Sequence, residues 1–160
     1  MKGKLRFRQV HMDFHTSEHI PDIGINFDAE QYAKTLHDAR VNSVTCFARC
    51  HHGWLYYDSK NMPELMHPNL KNRNLLKEQI EACHKYDIKV PVYTTVQWDY
   101  LTSRKHYDWL VLNENGGPFR QTTFAPGFYS NICLNSPYID FLKTHIRDIF
   151  ESLGNPLDGL

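Results

Sequence analysis

The sequence predicts an α/β fold: the N-terminal half of a (β/α)8 barrel, cut at the start of its fourth strand, with a hairpin insertion after the third. Three observations lead there. Strand-like and helix-like segments alternate along the 160 residues, which implies a parallel sheet with right-handed crossovers. The run Val44 to Ala48 is largely apolar, as a strand buried on both faces is. Leu157-Asp158-Gly159-Leu160 reads as a fourth strand just begun, whereas a complete barrel takes about 250 residues. A small open α/β sheet is the alternative. Either way residues 1–160 read as one domain, on the barrel reading a partial one.

The elements follow in order. Leu5 to His15 alternates, with Phe7, Gln9, His11, Asp13 and His15 on one face and Arg8, Val10, Met12 and Phe14 on the other, so it reads as a strand. Residues 16–27, with Pro21 and Gly24, read as a loop. Asp28 is placed to cap a helix over Ala29 to Arg40, with Gln31 as its capping-box partner and Ala29, Tyr32, Ala33 and Leu36 at helical spacing. Asn42 ends that helix, and Ser43 to Arg49 is the second strand. A loop from His51 to Arg73 carries aromatics, Pro63 and Pro68. Asn74 caps a second helix with Leu75, Leu76, Gln79, Ile80 and Cys83 inward, and Ile88 to Val96 is the third strand, in which Pro91 is awkward. Residues 100–137 are long for a connection; Trp109 to Leu112 and the glycine turn up to Phe119 suggest a hairpin, acting as a substrate wall or as a packed excursion. Ser136 and Pro137 open a third helix, with Ile139, Leu142, Ile146, Ile149, Phe150 and Leu153 as its core face and Gly154 as its cap, before a turn at Asn155-Pro156.

Composition narrows the function classes. Lys+Arg and Asp+Glu are both 18, so bulk charge gives no drive toward nucleic acid or a membrane surface. Aromatics make up 13%, with ten histidines, nine tyrosines and three tryptophans, a mixture suited to a polar ligand with apolar faces such as a sugar. Cys46, Cys50, Cys83 and Cys133 lack metal-type spacing and read as free thiols of a reducing compartment. The N-terminus lacks the apolar core of a secretion signal, and no stretch is long enough to span a bilayer, so a cytoplasmic protein is expected. Oligomeric state is left open.

Three strand ends converge on one mouth in such a fold, the place where parallel α/β sheets bind ligands. The first offers His11, Asp13 and His15. The second offers Arg49, His51 and His52, with Trp54 and Tyr57 behind. The third offers Gln97, Trp98 and Asp99, and the long excursion can add Asn131 and Asn135. Imidazoles and carboxylates suit hydroxyl recognition, and an indole can stack on a sugar's C–H face. Each has a structural alternative: Asp13 paired with Arg49 or Arg8, His11 a core histidine, Trp54 and Trp98 in the core. His37, His84 and His145 read as surface or capping groups of helices. The His11-x-Asp13-x-His15 run also suits a divalent metal shared with His51 or His52, and resembles loosely the first-strand His-x-His of the amidohydrolases.

A closer resemblance lies at Cys50-His51-His52-Gly53-Trp54 through Asp58-Ser59-Lys60. It is similar to the second-strand motif of the α-L-fucosidases of glycoside hydrolase family 29, Lys-His-His-Asp-Gly-Phe followed by aromatic-Asp-Ser-Lys. Phe14-His15 resembles their first-strand Phe-Ile-His-Trp, and Tyr93 to Trp98 falls on their tyrosine-rich third strand. The segment from Ile146-Arg147-Asp148 to Asp158-Gly159-Leu160 resembles their helix leading into Asp-Gly-(Leu/Ile)-Trp-Phe-Asp. The overall match is also to the hypothetical glycosyl hydrolase families related to them. The resemblance implies a glycoside hydrolase acting on carbohydrate by a retaining mechanism without a cofactor. His15, His51 and His52 then hold sugar hydroxyls and Trp54 lines the same subsite. Cys50 stands where the motif has lysine and Gly53 where it has aspartate. The nucleophile falls beyond Leu160, so this segment binds sugar without cutting it. A metal-dependent hydrolase and a non-catalytic carbohydrate-binding protein are the alternatives.

Overall fold

A computed structural model describes residues 5–119, 131–154 and 157–160. Its element order is β1 (Gln9–His11), α1 (Ala29–Asp38), β2 (Ser43–Arg49), α2 (Leu75–Lys85), β3 (Val92–Thr94), α3 (Tyr100–Lys105) and α4 (Tyr138–Leu153), with short 3-10 turns at Pro63–Leu65 and Tyr107–Trp109. The three strands form one parallel sheet in the order β1-β2-β3. This is an α/β fold with a small parallel sheet.

β2 has the bounds expected of it, and all seven of its residues are buried. Val44, Cys46 and Ala48 pack with Val90 and Val92 against Ala33 and Leu36 of α1, Leu76, Ile80 and Cys83 of α2 and Ile149 of α4. Burying each valine, leucine or isoleucine among them is worth about 1.5–3 kcal/mol. The opposite side carries a second cluster of Phe47, Cys50, Tyr56, Ile23 and Leu75, with Phe14 and Tyr93 against it.

The first strand is shorter than its alternation suggests. Pairing with β2 covers Gln9, Val10 and His11, plus the bond from Met12 N to the Thr45 carbonyl (3.3 Å), after which the chain leaves the sheet. β3 is short for a reason visible in the sequence. The Pro91 carbonyl accepts from Cys46 N (3.3 Å), but proline has no N–H to return, so regular pairing starts at Val92. On the far side of β3, Val92 N donates to the Gly159 carbonyl (2.9 Å) and Val90 N to the Asp158 carboxylate (2.8 Å). The 157–160 segment therefore lies alongside β3, although it is not itself assigned as a strand.

Helix ends follow their caps in part. The Asp28 side chain accepts from Gln31 N (2.8 Å), as expected. Asn42 does not close α1; Ala39 does, and Asn42 ties the residue before β1 to the segment leading into β3, accepting from Arg8 N and, through its carbonyl, from Lys89 N. Asn74 holds the cap position of α2 without a side-chain bond to it, and its backbone N–H donates to Asn72 Oδ1 (2.9 Å). Within 100–137, Asp99 caps a helix that apolar periodicity does not announce. The glycine turn is present: Phe119 N bonds the Val111 carbonyl (2.7 Å) and Asn113 N the Gly117 carbonyl (2.7 Å). The turn expected at Asn155-Pro156 lies outside the described residues.

α4 corrects the sequence reading most. Its buried stripe is Tyr138, Leu142, His145, Asp148 and Ile149, while Ile139, Ile146 and Phe150 are 37%, 40% and 48% exposed. Counting apolar residues misplaces the face because two of the inward positions are polar and find partners. His145, read as a surface or capping group, is fully buried, with Nε2 2.7 Å from Thr94 Oγ1.

Candidate functional site

The C-terminal edge of the sheet carries a row of imidazoles. His15, four residues beyond β1, stacks on His51 with ring centroids 4.1 Å apart, and His51 stacks on His52 at 4.8 Å. Below them Phe47 of β2 and Tyr93 of β3 lie 4.3 Å apart, and His11 and His15 set their edges against Phe47 at 5.2 and 5.1 Å. An aromatic floor thus supports a polar rim. His11 is exposed and stands at the rim, not in the core.

Asp13 orients the first imidazole. Its Oδ1 lies 2.7 Å from His15 Nε2 and 3.9 Å from His11 Nε2, so it pairs with neither Arg49 nor Arg8. With Nε2 donating to a carboxylate, the proton of neutral His15 sits there, and Nδ1, which is enclosed with no protein partner, keeps its lone pair. Burial lowers the pKa of His15, a shift that the Asp13 carboxylate opposes without reversing. Burial also pushes His51 down to about 4, helped by His15 and His52, and lowers His52. All three rings are therefore neutral at pH 7, each with one N–H and one lone-pair nitrogen; the His15 N–H is given to Asp13, and the Nδ1 atoms of His15 and His52 are enclosed.

Arg49 does not reach this rim. It is fully buried, in a buried ion pair with Asp99, its guanidinium 4.9 Å from the Phe141 ring centroid and its Nε 3.3 Å from the Gly53 carbonyl. The β2–β3 pairing shifts register between Phe47 and Arg49, an irregularity that strict period two along β2 does not anticipate. Gly53 has φ +96°, and a Cβ there would lie 2.7 Å from Asp99 Oδ1 and 2.9 Å from Leu101 Cβ, so no larger residue fits.

Trp54 flanks the other side. Its Nε1 is 3.5 Å from Glu18 Oε2, and its ring meets His67 edge-on at 6.0 Å. His67, buried with Nε2 2.9 Å from the Ser17 carbonyl, holds the 16–20 loop against the 54–67 loop. Neither Glu18 nor His67 stood out in the sequence; both lie in segments without periodicity. Gln97 is exposed and Trp98 half-buried in the β3–α3 turn, where the Gln97 carbonyl accepts from Ile132 N (2.9 Å) and Trp98 bridges Asn131. Tyr100 N donates to the His51 carbonyl (2.9 Å), which ties that turn to the histidine loop. Tyr57 is turned inward, away from the rim, onto Asp148 (2.7 Å).

Among the described residues, no three His, Cys, Asp or Glu side chains come together as a metal cage would require. His11, Asp13, His51 and His52 therefore do not form the divalent site that their spacing suggested. Cys46, Cys50 and Cys83 are buried free thiols and Cys133 is half-buried and free. No helix among the described residues is long and apolar enough to cross a membrane.

Comparison with known proteins adds the following. The family model of hypothetical glycosyl hydrolase 6 matches residues 28–160. α-L-Fucosidase isoenzyme 2 from Paenibacillus thiaminolyticus superposes with a TM-score of 0.83 at 40% identity, covering 97% of this chain and 22% of that one. The Thermotoga maritima α-fucosidase, solved with a mechanism-based inhibitor, gives a TM-score of 0.58 at 14% identity, covering 85% of this chain and 29% of that one. A family 29 α-L-fucosidase from Bacteroides thetaiotaomicron gives 0.56 at 18% identity, covering 81% and 25%. The last two show likeness of fold. The chain spans less than a third of the length of each of these three enzymes. No curated protein matches it.

Proposed function

Because the chain belongs to the hypothetical glycosyl hydrolase 6 family, we propose that it is the N-terminal part of a (β/α)8 glycosidase barrel of the α-L-fucosidase type, whose strand ends hold the sugar. One observation carries the reading: three stacked imidazoles, one paired with a carboxylate, stand at the C-terminal edge of the parallel sheet. His51 and His52 exchange hydrogen bonds with sugar hydroxyls, and His15, whose Nε2 proton is held by Asp13, stacks behind His51 and fixes its ring. Trp54 lines one side of the subsite, and Gln97 and Trp98 the other. A site built to pair hydroxyls rejects analogues lacking them, because each buried group left unpaired costs about 1–3 kcal/mol.

Gly53 also suggests a register for the motif. Its backbone calls for glycine, and setting the motif's own glycine there puts Arg49 on its lysine, Cys50 and His51 on its two histidines, His52 on its aspartate and Trp54 on its phenylalanine. On that register His51 is the principal ligand and the basic residue at position 49 works beneath the surface.

A retaining glycosidase uses two carboxylates about 5–5.5 Å apart. The resemblance puts the nucleophile after the segment matching Asp158-Gly159-Leu160, so cleavage is assigned to no residue of this chain. Asp158 is engaged otherwise, by Lys89 Nζ (2.8 Å), His84 Nε2 (2.6 Å) and Val90 N (2.8 Å).

Calorimetric titration with L-fucose tests the reading. The wild-type chain should bind, and His51→Ala should weaken binding by about tenfold or more, about 1.4 kcal/mol. No heat of binding to wild type, or equal affinity in the variant, rejects it.

A further inference from the structure

We propose that Asp99 is a positioning residue for the sugar-binding histidines, acting through Arg49 and through the N-terminus of α3 on the backbone that carries His51 and His52. The consequence for sugar rests on the binding reading above; the positioning itself does not.

The 50–53 turn is held at two carbonyls. His51 O accepts from Tyr100 N (2.9 Å), and Gly53 O accepts from Arg49 Nε (3.3 Å). Both donors depend on Asp99. Its carboxylate is the partner of the buried Arg49 guanidinium, and as the cap of α3 it accepts from Thr102 N (3.0 Å), which fixes where Tyr100 begins the helix. The Thr102 hydroxyl and Tyr138 Oη (3.2 Å) complete its bonds. Asp99 itself is fully buried and does not reach the rim. It also presses on the turn directly, since Oδ1 occupies the space beside Gly53 Cα that a side chain would need. A buried pair of this kind is weak evidence for stability, and in some proteins such a pair fixes one arrangement. Here the fixed element is the turn from which two imidazoles project.

The test compares two buried carboxylates. Asp99→Asn keeps the shape and the cap oxygen but removes the charge opposite Arg49. Asp148→Asn perturbs a carboxylate that holds residues 57–61 and touches neither turn carbonyl. Imidazole Cε1–H signals of His51 and His52 and the affinity for L-fucose are read in both. Asp99→Asn should shift or broaden both signals and weaken fucose binding by about tenfold or more, while Asp148→Asn lowers stability and leaves both signals in place. A folded Asp99→Asn protein with wild-type signals and wild-type affinity overturns the inference. If the wild type binds no L-fucose, the sugar reading fails and the ring signals alone decide the positioning role. If Asp99→Asn does not fold, Arg49→Lys replaces it: charge stays beside Asp99 while the Nε donor to Gly53 is lost. Displaced His51 and His52 signals then support the inference, and unmoved ones overturn it.

Discussion

Removing the Asp148 carboxylate should unfasten residues 57–61 from α4, and the size of the effect can be worked from its bonds. Asp148 is fully buried on α4. Oδ2 accepts from Tyr57 Oη and Ser59 Oγ, both at 2.7 Å, and Oδ1 accepts from Lys60 N (3.1 Å), Asn61 N (2.8 Å) and Ser152 Oγ (3.0 Å). Asp148→Asn puts an amide NH2 among donors. The low-cost arrangement sets it at the Oδ2 position, where the two hydroxyls can turn and accept, because the backbone N–H groups opposite Oδ1 cannot. What is lost is the ionic contribution, the difference between about 1.5–3 kcal/mol for a bond to a charged group and about 1 for a neutral one. Over this cluster, allowing for non-additivity, the expected cost is about 2–3 kcal/mol. Asp148→Ala strands the donors altogether and should cost about 4 kcal/mol or more. Urea unfolding reads both as a lower midpoint at unchanged slope. The variants should also differ from wild type in acid. Burial raises the carboxyl pKa, but the bonds from Ser59, Tyr57, Asn61 N and Ser152 outweigh it and hold it below 3.8. Its contribution is therefore present above the ordinary carboxylate range and lost as pH falls through the folded value. A cost below about 1 kcal/mol for Asp148→Ala would refute the claim that this carboxylate holds residues 57–61.

Three further outcomes are expected. Gly53→Ala combines φ +96° with a Cβ 2.7 Å from Asp99 Oδ1, so it should cost about 3 kcal/mol or more or displace the turn, read by urea unfolding and by the His51 ring signal. Acidification should destabilise the fold from about pH 6.5 downward. Burial pushes His145 down to about 3, so the unfolded chain takes up a proton near 6.5 that the folded chain refuses. Stability then falls by about 1.4 kcal/mol per pH unit between those values, a slope that His145→Gln should flatten. His51, pushed down to about 4, adds the same sign with a smaller weight because it is half-buried. Finally, Asp13→Asn should weaken L-fucose binding by a few-fold with little loss of stability, since the Asp13 side chain is largely exposed and its effect runs through the orientation of the His15 ring behind His51. Calorimetry and thermal unfolding of the same preparation separate the two.

Much of the fold is legible because local rules and tertiary packing agree in the central elements. The bounds of β2, the Asp28 cap and the inward stripe of α2 follow from apolar runs and capping chemistry. Legibility fails where polar groups are buried in pairs. The inward face of α4 is set by His145 and Asp148 as much as by leucine and isoleucine, so hydrophobic counting turns the helix toward Ile146 and Phe150. The same holds for α3, whose start is fixed by the Asp99 carboxylate while its six residues are too few to show a period. At the site, His15, His51 and His52 converge as strand-end logic expects. Arg49 escapes it because the β2–β3 register shifts between Phe47 and Arg49, and the buried partner that receives its guanidinium lies fifty residues away, at Asp99. Glu18 and His67 reach Trp54 through loops whose path depends on contacts distant in sequence.

The central claim is that the imidazole row holds a sugar. A crystal structure of the chain with L-fucose tests it most directly. The account predicts the sugar at the C-terminal edge of the sheet, with hydroxyls within hydrogen-bond distance of His51 and His52, and with Arg49 still paired with Asp99 beneath. Fucose held instead in the adjoining cavity of about 350 Å³, which Phe14, Phe27, Tyr32 and Leu75 line together with His11, Asp13 and Phe47, with His51 and His52 untouched, would contradict it.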